Sequence, residues 1–317
     1  MQVFEIPVLN TYNEYFQPEI PELKEGKYIQ ILILRETKSY SIFTIDKKNL
    51  HIERLPAGIE NSNIIDRAVI YNLKQSLPER LTGRALLRQF GLNSPEMQKC
   101  KIIKKACGLC PDCILYGFNP SWKNETDLHQ YRVIIDSGFL VRDISQVMRN
   151  IEFNVVSDDI LIQSENLMPE VFIPSVETLV DITKEEFVYV MGNILKTTRY
   201  GLGDSGNSFI RNHIIGIYFS DVEVFSNLEM SQVFYDKLSI DSSVPDNLTL
   251  QDFYNNLVLV ANEFIKKSVG RITMLAEDEI SDLIHDISVI YSHQDYLRDF
   301  INSFSNISSN YIHQHNI

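Results

Sequence analysis

Tyr28–Arg35 (YIQILILR) is an almost unbroken run of apolar and β-branched residues, which predicts a buried strand. The polar stretch Glu36–Ser39 reads as a turn into a second strand over Ser41–Ile45 that pairs with the first. Strand patterns recur at Tyr131–Asp136, Ile151–Val156, Thr178–Ile182, His213–Ser220 and Val222–Phe225. Helical patterns separate them. Residues 79–90 (ERLTGRALLRQF) look helical, with Pro78 suited to the start and Gly91 to the stop. Arg80, Arg84 and Arg88 then share one face of that helix, with Leu86 and Phe90 pointing the other way. Thr183-Lys-Glu-Glu186 spells a capping box, and Phe187, Val190, Met191, Ile194 and Leu195 follow as one apolar stripe. Three helical stretches, near 250–266, 277–291 and 295–304, close the chain.

Strands interrupted by single helices, then a run of helices, describe an α+β protein with helices packed on an antiparallel sheet. A ferredoxin-like, RRM-type core with large insertions fits this order best. We read residues 1–317 as one such domain, with a basic insertion over 76–130 and a helical part over 245–317. A chain of 317 residues, 44% hydrophobic, buries a large core without covalent staples. No apolar run approaches the 18 or so residues of a membrane span. Met1–Phe16 carries Glu5 and Glu14 and lacks the basic and apolar regions of a signal peptide. The expectation is a soluble, cytoplasmic protein.

The formal net charge of −13 argues against indiscriminate nucleic-acid binding. The charge is unevenly spread, however. Residues 65–149 carry 13 basic against 8 acidic side chains, net +5, while residues 221–317 carry 5 against 15, net −10. A basic segment followed by an acidic remainder fits either uneven solvation or a local nucleic-acid groove with acidic faces elsewhere.

All four cysteines fall together, as Cys100-x6-Cys107-x2-Cys110-x2-Cys113. A reducing compartment disfavours two structural disulfides. Four thiolates repel one another unless a cation neutralises them, and Zn²⁺ takes four such ligands in a tetrahedron. Gly108 and Pro111 suit turns around an ion. With four sulfur ligands such a zinc is structural rather than catalytic. An iron–sulfur cluster and free thiols are the alternatives.

Gly201-Leu-Gly-Asp-Ser-Gly206 spells G-x-G-x-x-G, but it follows a helix and precedes a strand, the reverse of a dinucleotide site. It reads as a loop, one whose glycines let a phosphodiester chain approach the backbone. The seven histidines show no catalytic metal spacing, and no nucleophile elbow is present. His129 near Asp127 and the single tryptophan, Trp122, read first as surface and packing residues.

Three blocks carry a resemblance. They are Pro78–Arg88 (PERLTGRALLR), Cys107–Phe118 (CGLCPDCILYGF), and Thr197–Gly201 (TTRYG) running on to Asn212–Gly216 (NHIIG) and Phe225–Glu229 (FSNLE). In order and separation they resemble the backbone subunit of the type I-D CRISPR surveillance complex (type I-D Cascade), of the RAMP superfamily, over roughly residues 75–230. The strong negative charge departs from that pattern. The resemblance implies an RRM-like palm with inserted elements, one often bearing zinc. It implies an antiviral-defence role in which copies of the chain stack along a guide RNA (crRNA) beside other subunits. Target DNA or RNA is then met through the guide, not through protein side chains. On this view Arg80, Arg84, Arg88 and Arg199 hold phosphates, Thr197, Thr198 and Asn212 add polar contacts, and Tyr200 stacks or packs. The rival expectations are a metal-dependent nuclease using Asp136 or Asp204, and a zinc-organised protein–protein adaptor.

Overall fold

The computed structural model describes residues 5–43, 50–92, 94–102, 106–117, 131–155, 160–201 and 208–315, excepting the side chains of 152–155, 160–164 and His315. In chain order the elements are α1 (Val8–Thr11), β1 (Tyr28–Thr37), β2 (Ile52–Pro56), β3 (Ile64–Ile70), α2 (Asn72–Phe90), α3 (Pro95–Gln98), α4 (Pro111–Tyr116), β4 (Val133–Ile135), β5 (Gly138–Phe139), α5 (Ile144–Val147), β6 (Met148–Val155) and β7 (Ile160–Leu167). There follow β8 (Phe172–Val180), α6 (Lys184–Lys196), β9 (Arg199–Tyr200), β10 (Ser208–Ser220), α7 (Asn227–Leu238), α8 (Leu250–Lys267), β11 (Ile272–Met274), α9 (Glu277–Ser292) and α10 (Gln294–His315).

The principal sheet is antiparallel, in the order β11-β10-β1-β8-β4, with β9 paired to the start of β10. Successive side chains of its central strand point to opposite faces. Ile29, Ile31 and Ile33 meet Phe187, Met191, Ile287 and Phe304 of α6, α9 and α10. Leu32 and Leu34 meet Phe234, Phe253 and Leu257 of α7 and α8. Helices cover both faces, so β1 is buried at every position after Tyr28 and its centre, Ile31–Leu34, is apolar without alternation. The α+β class and the helical C-terminal part are as the pattern predicts. The chain crosses from α8 on one face to α9 on the other through β11 at the sheet edge.

Two smaller strand groups pack against this body, with Ile70 of β3 and Leu167 of β7 in one buried cluster with Ile173 and Ile210. β2, β3 and β5 form a three-stranded sheet, and β6 with β7 a hairpin. The β2–β3 connection is tied to α7 by Asp236, whose carboxylate accepts the Ile59 and Glu60 amides at 2.7 and 2.8 Å. Arg132, just before β4, makes a buried fork with Glu186 of α6, with Nη1 to Oε2 at 2.7 Å. Glu186 closes the capping box as well, its amide bonding the Thr183 hydroxyl at 3.2 Å.

Three expected boundaries differ. β1 runs on through Glu36 and Thr37, because β8 and β10 pair with it there, and no hairpin leads into Ser41. Ser41 instead bridges Leu167 at the end of β7, and residues 44–45 lie outside the described set. Val222–Phe225 is not a strand: the Val224 and Phe225 amides donate to the Gln30 side chain at 2.7 and 3.2 Å, which replaces a ladder partner. α2 starts at Asn72, so Pro78 lies inside it, at the cost of one backbone donor. The cysteine segment packs into the main core: Cys100, Cys110, Cys113 and Leu115 belong to the same buried cluster as Leu87 and Phe187.

Candidate functional site

The four cysteine sulfurs lie within 4.8 Å of one another. Gly108 at φ +74° turns the chain between Cys107 and Cys110 in a region that disfavours other residues. That turn aims the Leu109 and Cys110 amides at the Cys107 sulfur, at 3.4 and 3.2 Å. The Cys107 amide meets the Cys100 sulfur at 3.0 Å. Pro111 then opens α4, placing Cys113 inside its first turn. Cys100 Sγ stands 3.6 Å from Cys113 Sγ and 4.0 Å from Cys110 Sγ. A zinc tetrahedron with bonds of about 2.3 Å has edges of about 3.8 Å, so the donor set fits one ion. Without a cation the thiols compete for charge. Hydrogen bonding to Cys100 holds Cys107, Cys110 and Cys113 above the usual thiol value, and hydrogen bonding with Cys107 pulls Cys100 below it. Among the described residues this is the one gathering of three or more metal-capable side chains.

The cysteine hook is bolted to α2 by Asp112, which is fully buried. Arg80 donates to it through Nη2 at 2.8 Å and Arg84 through Nη1 at 2.9 Å. Arg84 also reaches the Cys100 carbonyl at 2.8 Å and the Cys110 sulfur at 3.4 Å. Arg80 stacks over the Tyr116 ring. The sequence places Arg80, Arg84 and Arg88 on one phosphate-holding face. The structure corrects this: Arg84 is 2% exposed and Arg80 is mostly covered, both turned inward, and only Arg88 is exposed.

A second constellation lies where α6 ends. Thr197 is buried and donates to the Thr82 hydroxyl at 2.8 Å, while Thr198 and Arg199 are exposed. Arg199 stacks on the Phe209 ring, 5.0 Å from its centroid. Lys196 and Arg211 are exposed beside this turn. Tyr200 points the opposite way, 1% exposed. Its hydroxyl donates to Glu79 Oε1 at 2.7 Å and accepts from Asn212 at 2.7 Å and from Arg35 at 2.9 Å. So Tyr200, Thr197 and Asn212 brace the turn from below: Tyr200 packs, the second of the two roles expected of it, while Thr197 and Asn212 spend their polar groups on Thr82, Tyr200 and Arg35.

Arg35 is the hub of that support. Its Nη1 also donates to Glu79 at 2.9 Å and Asn212 at 3.0 Å, and its Nη2 to Glu177 at 2.8 Å. Two buried carboxylates thus face one guanidinium. Burial first, then the neighbouring Glu79 charge, pushes Glu177 well above the usual carboxylate range, with Arg35 opposing. The sequence reading missed this network. Its one available signal was Arg35 itself, a cation continuing the face of Ile29, Ile31 and Ile33. Asp136 is exposed and, among the described residues, belongs to no cluster of metal-capable side chains. Asp204, Asp127, His129, Trp122 and most of the Gly201–Gly206 loop lie outside the described residues.

Comparison with known proteins bears on these constellations together. No curated protein matches the chain significantly. Among solved structures, the crystal structure of Thermofilum pendens Csc2 superposes with a TM-score of 0.59 at 15% identity, covering 97% of this chain and 98% of that one. A chain of a CRISPR RNA-guided surveillance complex gives 0.51 at 8% identity, covering 78% and 88%. A chain of such a complex before nicking gives 0.51 at 7%, covering 83% and 99%. At these identities the likeness is one of fold. The family model described as Csc2 Crispr matches residues 15–301, which span both the cysteine hook and the Arg199 turn, and the chain belongs to that family.

Proposed function

We propose that this protein is the guide-RNA-binding backbone subunit of a type I-D CRISPR surveillance complex, a scaffold without catalysis of its own. Family membership supports the assembly, and the two surveillance-complex chains that share the fold support it further. The strand order β10-β1-β8-β4, with α2 and α6 as the intervening helices, supports an RRM-like palm. On it the chain stacks with copies of itself along crRNA, beside other subunits, and target pairs with the exposed guide bases. The role belongs to antiviral defence in the cytoplasm. The cysteine hook holds Zn²⁺ as a structural ion; a multi-iron cluster would interpose its own sulfides and hold the cysteines further apart.

The observation that carries the RNA assignment is the Thr198–Arg199 turn. It raises an exposed guanidinium and hydroxyl on the buried Tyr200 and Thr197 and the half-buried Asn212, with Lys196 and Arg211 alongside. A guanidinium fork suits phosphate. Arg88 adds a cation beside the hook. In this scheme Arg80 and Arg84 hold the hook, and Tyr200, Thr197 and Asn212 hold the turn. The test is Arg199→Ala. Guide-RNA binding should weaken by about 1.5–3 kcal/mol, with a salt dependence shallower by about one unit and a nearly unchanged melting temperature. Unaltered affinity and slope would remove Arg199, and a wild-type protein that binds no single-stranded RNA at low salt would remove the function.

A further inference from the structure

The buried network beneath the Arg199 turn joins five elements at one point. Arg35 comes from β1, Glu79 from α2, Glu177 from β8, Tyr200 from β9 and Asn212 from β10. Each direct bond among Arg35, Glu79, Glu177, Tyr200 and Asn212 lies between 2.7 and 3.0 Å. Asn212 extends the chain of contacts, donating to the Ile194 carbonyl at 2.7 Å near the end of α6. Tyr200 and Arg199 are consecutive in a two-residue strand, so their side chains leave opposite faces of one short ribbon. Fixing the Tyr200 hydroxyl therefore fixes the direction in which Arg199 departs. The ladder alone holds this ribbon weakly, since β9 pairs with β10 only at Ser208 and Phe209.

We propose that Arg35, Glu79, Tyr200 and Asn212 are positioning residues for Arg199: they set the angle of the β9 ribbon so that its guanidinium meets the guide backbone. A stack on Phe209, 5.0 Å from the ring centroid, steadies the guanidinium. The network is polar although it is buried, which costs desolvation that an apolar plug of the same volume would not incur. Directional bonds supply what an apolar plug lacks, a single orientation for the residue they grip. Glu79 is followed by Arg80, which clamps Asp112, so α2 seats the cysteine hook and the Arg199 turn from adjacent residues. The raised affinity of Glu177 for its proton keeps the centre from carrying two uncompensated carboxylates.

The proposal rests on Arg199 touching guide RNA, and a double-mutant cycle separates the two. Affinity for an end-labelled oligouridine is measured, well below the melting temperature, for the wild type, Tyr200→Phe, Arg199→Ala and the double variant. Tyr200→Phe keeps the ring and removes the hydroxyl that Glu79 and Arg35 grip. Acting through Arg199, it should weaken binding about tenfold alone and cause no further loss when Arg199 is already alanine. An equal loss in both backgrounds, or none in either, overturns positioning while leaving Arg199 as a contact. No loss from Arg199→Ala overturns the contact itself and the positioning with it. Should Tyr200→Phe not fold, the isosteric Glu79→Gln enters the same cycle with the same expected coupling.

Discussion

Arg84 and Arg199 are the same residue type with opposite consequences. Arg84 is buried against Asp112, the Cys100 carbonyl and the Cys110 sulfur. Removing it leaves a buried carboxylate with one partner fewer, so Arg84→Ala should cost about 3–5 kcal/mol, read as a lower denaturant midpoint. Arg199→Ala, which loses an exposed stack on Phe209, should move that midpoint far less. Glu177 gives a pH test at the same scale. Its folded value is raised, so below the unfolded carboxylate value both states hold the proton and Glu177 adds no pH dependence. Above it the unfolded chain loses the proton while folded Glu177 keeps it. Its contribution to stability should then fall by about 1.4 kcal/mol per pH unit until the folded value is passed. Glu177→Gln cannot titrate and should flatten that slope in urea titrations stepped from acid to neutral pH. An unchanged slope would place the proton elsewhere.

At the scale of elements, α6 was the most legible part of the chain. Its Thr183–Glu186 box and apolar stripe are local signals, and the structure reproduces both. Thr183 also sets the end of α6 against the buried Arg132–Glu186 fork. Thr183→Ala should cost about 0.5–2 kcal/mol, seen as a lower melting temperature by circular dichroism, while Thr183→Ser should recover most of it. The short strands β9 and β11, and the β2–β3–β5 sheet, were not read from the sequence. Two or three residues carry too little periodicity to register, and their pairing is decided by partners far along the chain. Val222–Phe225 shows the converse. Its composition suits a strand, yet the Gln30 side chain takes the amides a neighbouring strand would have taken.

For the molecule as a whole, the hook is part of the main core, and metal loss should be felt throughout. Purified protein should carry about one zinc per chain. Chelation should lower the melting temperature of the single cooperative transition, not create a separate early one, because Cys100, Cys110 and Cys113 pack with Leu87 and Phe187. Two resolved transitions by calorimetry, or iron found by elemental analysis, would contradict this. The sequence by itself determined the central strand, α6, the closing helices and the four-sulfur site, because each rests on spacing within a short segment, and the α+β class, because it follows from the order of those segments. Which arginines face outward was settled only in three dimensions. Arg80 and Arg84 share a helical face with Arg88, and periodicity cannot say whether that face meets solvent or a buried Asp112 carried some thirty residues further on. Likewise Tyr200 and Asn212 look like ligand contacts beside a glycine loop. Long-range packing brings Arg35 and Glu79 beneath them and turns both inward, because a buried guanidinium demands acceptors that no neighbouring residue in sequence supplies.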